Sequence, residues 1–311
     1  MTLATFVQTL GRGPGRSRSL TRDEAAAAMK IMLGPDAAPE AVGALLMLLR
    51  MKGETAEEIA GFAQAAQATM PHIPKADLDW PSYAAGRTRG APWFLFSARM
   101  VADAGHRVLL HGWNGTDHKI RDGLSQAGIG IAASLDAAET LLAREGIAYL
   151  PLEHMHPALF ALLRLREVLG LRSCINTVCR MLNPARASAS VQGVFHPSYR
   201  LLQADAAQLL GWQNLTVIKG GGGEFERHPA KDIAAFGVRT GALWEGSFHA
   251  LIDDTRRLAE PTAAYDLMQP SVFDEQIISG TAAAALATLG MADAEDTARR
   301  LWPARKPRDA A

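Results

Sequence analysis

The hydrophobic and polar positions fall into two regimes. The first seventy residues follow a helical period, and the sequence beyond Met70-Pro71-His72-Ile73-Pro74 turns to short apolar runs separated by helical stretches. In the first regime, Leu20-Thr21-Arg22-Asp23-Glu24 reads as a helix start, with Thr21 placed to cap and Asp23 and Glu24 at the positive end of the dipole. An alanine-rich run follows, and Gly34-Pro35 ends it. Ala38-Pro39-Glu40 opens a second helix reaching Arg50, apolar almost all round and so expected to be buried on more than one side. Lys52-Gly53-Glu54-Thr55 is the next turn, and Thr55 with Glu58 has capping-box spacing for a third helix.

Pro71 and Pro74 disfavour helix continuation, which makes this stretch a linker. Beyond it, Arg107-Val108-Leu109-Leu110-His111 and Leu215-Thr216-Val217-Ile218-Lys219 each follow a helical segment and run into glycine, as parallel strands with crossover helices do. Gly105 and Gly211 stand where left-handed helix caps belong. The pattern predicts an α/β protein. A small N-terminal α-helical bundle spans residues 1–72, and a larger α/β domain, 73–311, holds a mostly parallel central sheet flanked by helices. Helices around 157–184 are expected to pack back on the bundle.

Composition narrows the function. A chain of 311 residues with 48% hydrophobic content can bury a full core. It has no uninterrupted apolar run of about 18 residues, so neither export nor a membrane span is expected. Cys174 and Cys179 cannot make a disulfide scaffold or a four-cysteine zinc site, and they read as thiols of a reducing, cytoplasmic compartment. The 32 basic and 32 acidic residues cancel, yet they are unevenly spread. Arg164 to Arg200 holds six arginines and one acid, while Leu251 to Arg300 holds nine acids and four arginines. A neutral total can hide a basic face, and a face is what a polyanion feels.

Leu20 to Gly61, including Leu49-Arg50-Met51-Lys52-Gly53-Glu54-Thr55, resembles the N-terminal helical domain of anthranilate phosphoribosyltransferases, which mediates dimer formation in that family. Gly170-Leu171-Arg172-Ser173-Cys174-Ile175-Asn176, continuing through Asn183-Pro184-Ala185-Arg186 to Gly193-Val194-Phe195, resembles the segment that closes the family's aromatic substrate site. The resemblance covers roughly residues 20 to 230.

It also implies where the family's parts should lie. The Gly-Thr-Gly-Gly-Asp-Gly loop that holds the diphosphate falls on Ser82-Tyr83-Ala84-Ala85-Gly86-Arg87, where each lost glycine adds a Cβ in the path of the anion. The phosphate-binding Asn-x-Ser-Thr falls on Pro92-Trp93-Phe94-Leu95, and Lys-His-Gly-Asn on Leu110-His111-Gly112-Trp113. His111 is thus either an anion donor or a structural strand-end histidine. The magnesium-binding Asp-Glu pair falls on Phe225-Glu226, leaving Glu226 as a weak metal ligand with Glu224 beside it. Gly220 to Gly223 read as a phosphate cradle or a mobile loop. His156 and Arg166 fall where the family meets the carboxylate of its aromatic acid.

Pro81-Ser82-Tyr83-Ala84-Ala85-Gly86-Arg87 is similar to the Pro-Ser-Tyr-x-Gly-Ala-Arg of bacterial paralogues thought to bind nucleic acid as homodimers, and Gly11-Arg12-Gly13 is shared with them. Two functions follow. In the first, a cytoplasmic homodimer joined through its N-terminal helices binds nucleic-acid backbone without a cofactor. Its groove is lined by Arg87, Arg89, Lys119, Arg164, Arg166 and Lys219, with Tyr83, Trp93 and Trp113 as stacking surfaces. In the second, a pentosyl (phosphoribosyl) transferase uses a different donor or acceptor, with His156 and Arg166 orienting the acceptor and Glu226 holding Mg²⁺.

Overall fold

The computed structural model describes residues 2–84, 90–113, 115, 118–258 and 267–304. Four helices come first: α1 (Leu3–Gly11), α2 (Arg22–Met32), α3 (Pro39–Lys52) and α4 (Ala56–Ala68). Thr21 with Glu24 and Thr55 with Glu58 form capping boxes at the starts of α2 and α4, satisfying amides that have no partner within the helix. Glu58 is buried and works twice, because its other oxygen accepts from the Leu20 backbone N–H at 2.9 Å and ties the entry of α2 to α4.

The chain then alternates between strand and helix. It runs through β1 (Leu78–Ser82), α5 (Phe94–Asp103), β2 (Val108–Gly112), α6 (Lys119–Gln126), α7 (Leu135–Glu145) and β3 (Ile147–Pro151). The short α8 (Leu152–Met155) leads to α9 (Pro157–Leu169), α10 (Ile175–Arg180), β4 (Ala189–Val194), α11 (Ser198–Leu209) and β5 (Asn214–Lys219). A hairpin of β6 (Ile233–Arg239) and β7 (Ala242–Phe248) precedes α12 (Val272–Thr288) and α13 (Ala294–Ala304). Gly105 and Gly211 follow α5 and α11 with φ of 95° and 73°, the left-handed conformation that only glycine adopts without steric cost.

One seven-stranded sheet runs in the order β3-β2-β1-β4-β5-β6-β7. The first five strands in that order are mutually parallel, and the β6–β7 hairpin closes the edge antiparallel. Strand alternation divides the interior. Leu109, Leu215 and Val217 face a core shared with the N-terminal helices, while Val108, Leu110 and Ile218 face the core under α5, α12 and α13. Chain order reverses between β1 and β4, so the carboxyl ends of those two strands form the switch point where open α/β sheets leave a crevice.

The N-terminal helices and α9–α10 are joined by specific bonds. The Gln67 side chain donates to the carbonyls of Leu182 (2.9 Å) and Asn183 (2.7 Å), and Arg50 Nη1 donates to the Arg172 carbonyl at 2.6 Å. Among the described residues, no helix is long and apolar enough to cross a membrane.

Candidate functional site

The crevice at the β4 end holds a cavity of ≈ 420 Å³ between the helical bundle and the sheet, lined by Arg50, Arg166, Arg172 and Arg180 together with Asn176 and Tyr199. Among the described residues its single acid is Glu54, which accepts a hydrogen bond from the Tyr199 hydroxyl at 3.3 Å. The arginines arrive from three helices and the loop after α9. Arg50 lies in the last turn of α3, Arg166 rides on α9 above the Trp113 ring (5.5 Å to the centroid), and Arg180 ends α10.

Arg180 is fixed by backbone. Its Nε donates to the Gly193 carbonyl (3.2 Å), Nη2 to that of Gly223 (3.2 Å) and Nη1 to Asn176 Oδ1 (3.3 Å). Arg50, Arg166 and Arg180 form no ion pair with a described residue. Burial holds the Arg180 guanidinium below its ordinary value, opposed by Glu224 and reinforced by Arg172. Arg172 is lowered in the same way, by burial and then by Arg166. Like charges gathered in a partly desolvated cleft make a site for an anion.

Beside this cavity, two internal carboxylates occupy backbone amides. Glu224 Oε1 accepts from the Ala84 N–H at 2.9 Å, just past the end of β1, and Glu226 Oε1 accepts from the N–H of Phe94, the first residue of α5, at 3.1 Å. Both side chains are buried. The second contact places a negative charge at the positive end of a helix, where an anion is stabilised. The glycine run before them is tightly packed. Gly221–Gly223 is one turn of 3₁₀ helix, a Cβ on Gly220 would stand 1.6 Å from the Glu224 carbonyl oxygen, and one on Gly193 would stand 2.0 Å from the Glu224 carbonyl carbon. Backbone packs closely against backbone at Gly193 and Gly220, and this turn carries the chain into Glu224 and Glu226.

A buried polar chain crosses the sheet under the same crevice. Ser190 donates to Asp79 Oδ2 at 2.7 Å, Asp79 Oδ1 lies 3.1 Å from His111 Nε2, and His111 Nδ1 lies 2.8 Å from the Tyr83 hydroxyl. With its proton on Nε2, the imidazole donates to Asp79 and accepts from Tyr83. Burial pushes the Tyr83 phenol well above its ordinary value, so it stays a hydroxyl.

The expected site residues separate accordingly. Of the expected site residues that are described, only Arg166 lines the cavity, and the described residues that join it, Arg50, Arg172 and Arg180, are ones that sequence reasoning does not single out as ligands. Ser82, Tyr83 and His111 are fully buried, and both ring nitrogens of His111 are engaged, by Asp79 and by Tyr83. Trp93 is buried as well, so neither it nor Tyr83 offers a stacking face, and Trp113 is committed to Arg166 and, at 6.0 Å, to Phe160. Gly112 ends β2 with no room for a Cβ, which would stand 2.0 Å from the Ser82 carbonyl oxygen. His156 caps α9, accepting from the Leu159 N–H at 3.3 Å, while its Nε2 lies 2.9 Å from Thr69 Oγ1 and 3.2 Å from the Ala66 carbonyl. Both ring nitrogens are engaged within the chain, and the Thr69 and Ala66 contacts tie α9 to the end of α4. Arg164 is exposed and paired with Glu167 at 2.8 Å. Lys119 starts α6 and Lys219 ends β5 as an exposed residue, and neither lines the cavity. Glu226 is a helix cap here, and the described residues contain no group of three or more potential metal-ligating side chains. Arg87 and Arg89 lie outside the described residues.

A helical bundle joined to a parallel α/β sheet, with a crevice between them lined for anions, is the architecture of a glycosyl transferase class. Its helical bundle domain matches residues 5–70, and its a/b domain matches residues 94–245. The anthranilate phosphoribosyltransferase of Bacillus caldotenax is 30% identical over 230 residues, covering 73% of this chain and 95% of the relative. That of Geobacillus kaustophilus is also 30% identical, covering 73% of this chain and 68% of the relative. The solved anthranilate phosphoribosyltransferase of Thermus thermophilus superposes with a TM-score of 0.81 at 19% identity, covering 98% of this chain and 95% of that one. The Saccharomyces cerevisiae enzyme in complex with PRPP and Mg gives 0.75 at 14% identity, covering 96% and 92%. The chain belongs to the anthranilate phosphoribosyltransferase-like glycosyl transferase family.

Proposed function

We propose that this chain binds the phosphate backbone of single-stranded nucleic acid at its arginine cavity, as a cytoplasmic homodimer, and does not transfer a phosphoribosyl group. The observation that carries the reading is the pair of internal carboxylates: Glu224 on the Ala84 amide and Glu226 on the Phe94 amide. The family resemblance brings a diphosphate to these two segments. In this chain a diphosphate there would have to displace two buried carboxylates or lie against them, and like charges at that range repel strongly outside bulk water. The arginine cavity has the opposite character, with four guanidinium groups against one acid among the described residues and a mouth open to solvent beside the exposed Phe195 ring. Phosphate contacts made by arginine are salt-sensitive and indifferent to base sequence, and an exposed aromatic ring adds stacking. Met51 on α3 and Val168 on α9 are exposed apolar side chains on neighbouring helices, and they suit the proposed dimer face.

A second reading has its own support: the relatives named above are anthranilate phosphoribosyltransferases at 30% identity, and Arg166 would suit the carboxylate of an aromatic acid. In that reading Glu224 and Glu226 would leave their amides to hold magnesium, and the cation would in turn offset the charge of the diphosphate. Isothermal titration with phosphoribosyl diphosphate and Mg²⁺ separates the two. The binding reading expects no saturable heat and no displacement of a bound oligonucleotide. Saturable heat, with anthranilate consumed on its addition, would establish the transferase.

A further inference from the structure

We propose a second ligand site, remote from the crevice, in which Arg227 receives a small monocarboxylate with an apolar body. Arg227 is one of the largest fully buried side chains, and its Nε and Nη1 have no hydrogen-bond partner among the described residues. Nη2 donates to the His249 carbonyl, and the nearest carboxylate, that of Glu295, stands 4.0 Å from Nη1. Leaving guanidinium donors unmet in the interior is costly, so a buried arginine in this state calls for a partner.

Space for that partner adjoins the guanidinium. A cavity of ≈ 340 Å³ is walled by Arg227, Phe248, Ala283, Ala284, Ala287 and Met291. Apart from the one cation, these walls are apolar, and helix α12 presents Ala283, Ala284 and Ala287 to the space, where larger residues would fill the room. A Cβ on Gly280 would stand 2.6 Å from Leu251 Cδ1, so the glycine admits the Leu251 side chain against the helix, with the Arg227 stem in ordinary contact beside it at 3.5 Å.

Charge at the mouth decides the class. Asp293, Glu295 and Asp296 stand at the start of α13, at the rim of the cavity. Arg299 pairs with Glu295 and Asp296, both at 3.5 Å, and Arg300 pairs with Asp293 at 3.3 Å, yet the rim still opposes a dianion such as phosphate. One cation inside and carboxylates outside admit a monoanion or a zwitterion. An aliphatic carboxylic acid and an aliphatic α-amino acid share the required chemistry, one carboxylate on an apolar body of about six heavy atoms, in a cavity near the small end of the usual range for ligand sites.

The test uses the full chain and three probes in calorimetric titration: 4-methylpentanoate, L-leucine and L-leucinamide. Saturable binding of either carboxylate, with leucinamide at least roughly tenfold weaker, is the expected result, because a charge-assisted bond to arginine is lost. Preference for leucine over 4-methylpentanoate assigns the site to amino acids, and the reverse assigns it to simple acids. Arg227→Gln should abolish the preference for the carboxylate. Because a buried arginine is also structural, Ala287→Leu provides the control: it fills a half-buried wall, should leave the melting temperature close to that of the parent, and should remove binding. No binding of either carboxylate, equal binding of leucinamide, or binding unaffected by Ala287→Leu would each overturn the assignment.

Discussion

One carboxylate oxygen of Glu226 stands 3.1 Å from the backbone nitrogen of Phe94, at the amino end of α5. The residue that the family resemblance casts as a metal ligand here performs a cap's work, from 132 residues away in sequence. Replacing it with alanine leaves that buried amide without its acceptor. Glu226→Ala should therefore lower stability by about 1 to 2 kcal/mol in urea unfolding, with Glu226→Gln recovering part of the loss through its amide oxygen. An unchanged midpoint for the alanine variant would show that the contact contributes nothing.

The Asp79–His111–Tyr83 chain makes a graded prediction. Tyr83→Phe removes one hydroxyl and should cost about 1 kcal/mol, whereas Asp79→Ala strands both His111 and Ser190 and should cost about 3 kcal/mol or more. The order of the two is the check: equal losses would mean that the buried polar groups do not act as a chain.

Acid should weaken the joint between the bundle and α9. Burial holds the His156 pKa below the ordinary histidine value, so the folded state resists a proton that the unfolded chain accepts. The associated stability is complete above about pH 6.5, the ordinary histidine value, and declines as pH falls through the interval below it. His228 is shifted the same way, also by burial, so part of the decline belongs to it. His156→Asn retains a side chain able to cap α9 and should flatten, without abolishing, the loss of melting temperature between about pH 7 and about pH 5. A variant whose pH profile overlays that of the parent would remove His156 from the account.

Legibility from sequence followed range. The capping boxes at Thr21 and Thr55 are local patterns three residues long, and both formed. Val108 to Gly112 and Asn214 to Lys219 were readable because a doubly buried parallel strand leaves an apolar run. The β6–β7 hairpin was missed: β7 is exposed on most of its length, and Glu245-Gly246-Ser247 interrupts its apolar residues. Helix α1 was missed because its nine residues carry only three buried positions, Leu3, Phe6 and Leu10. At the site, the stretch from Arg164 to Arg200 was legible as a basic cluster, but nothing local separates the cavity arginines Arg172 and Arg180 from Arg186 and Arg200, and Arg50 joins them from α3 only through tertiary packing. Burial of Tyr83 and Trp93, and the engagement of Glu226 by a backbone amide, depend on partners far along the chain, so no local pattern announces them.

The arginine cavity should behave as one electrostatic unit. Arg166→Ala and Arg50→Ala should each weaken oligonucleotide binding similarly across sequences and lower the slope of log K against log salt by about 1, with little effect on melting temperature for Arg166→Ala and a modest loss for Arg50→Ala, which gives up the bond to the Arg172 carbonyl. Arg180→Ala differs, because its guanidinium also holds Gly193 and Gly223 in place, and both binding and stability should fall.

Fluorescence anisotropy of a labelled single-stranded oligonucleotide, titrated with the chain at several salt concentrations without magnesium, tests the central claim most directly. The account predicts saturable binding that weakens steeply as salt rises and that Arg166→Ala and Arg50→Ala both reduce. No change in anisotropy at low salt, or binding that neither variant alters, would contradict it.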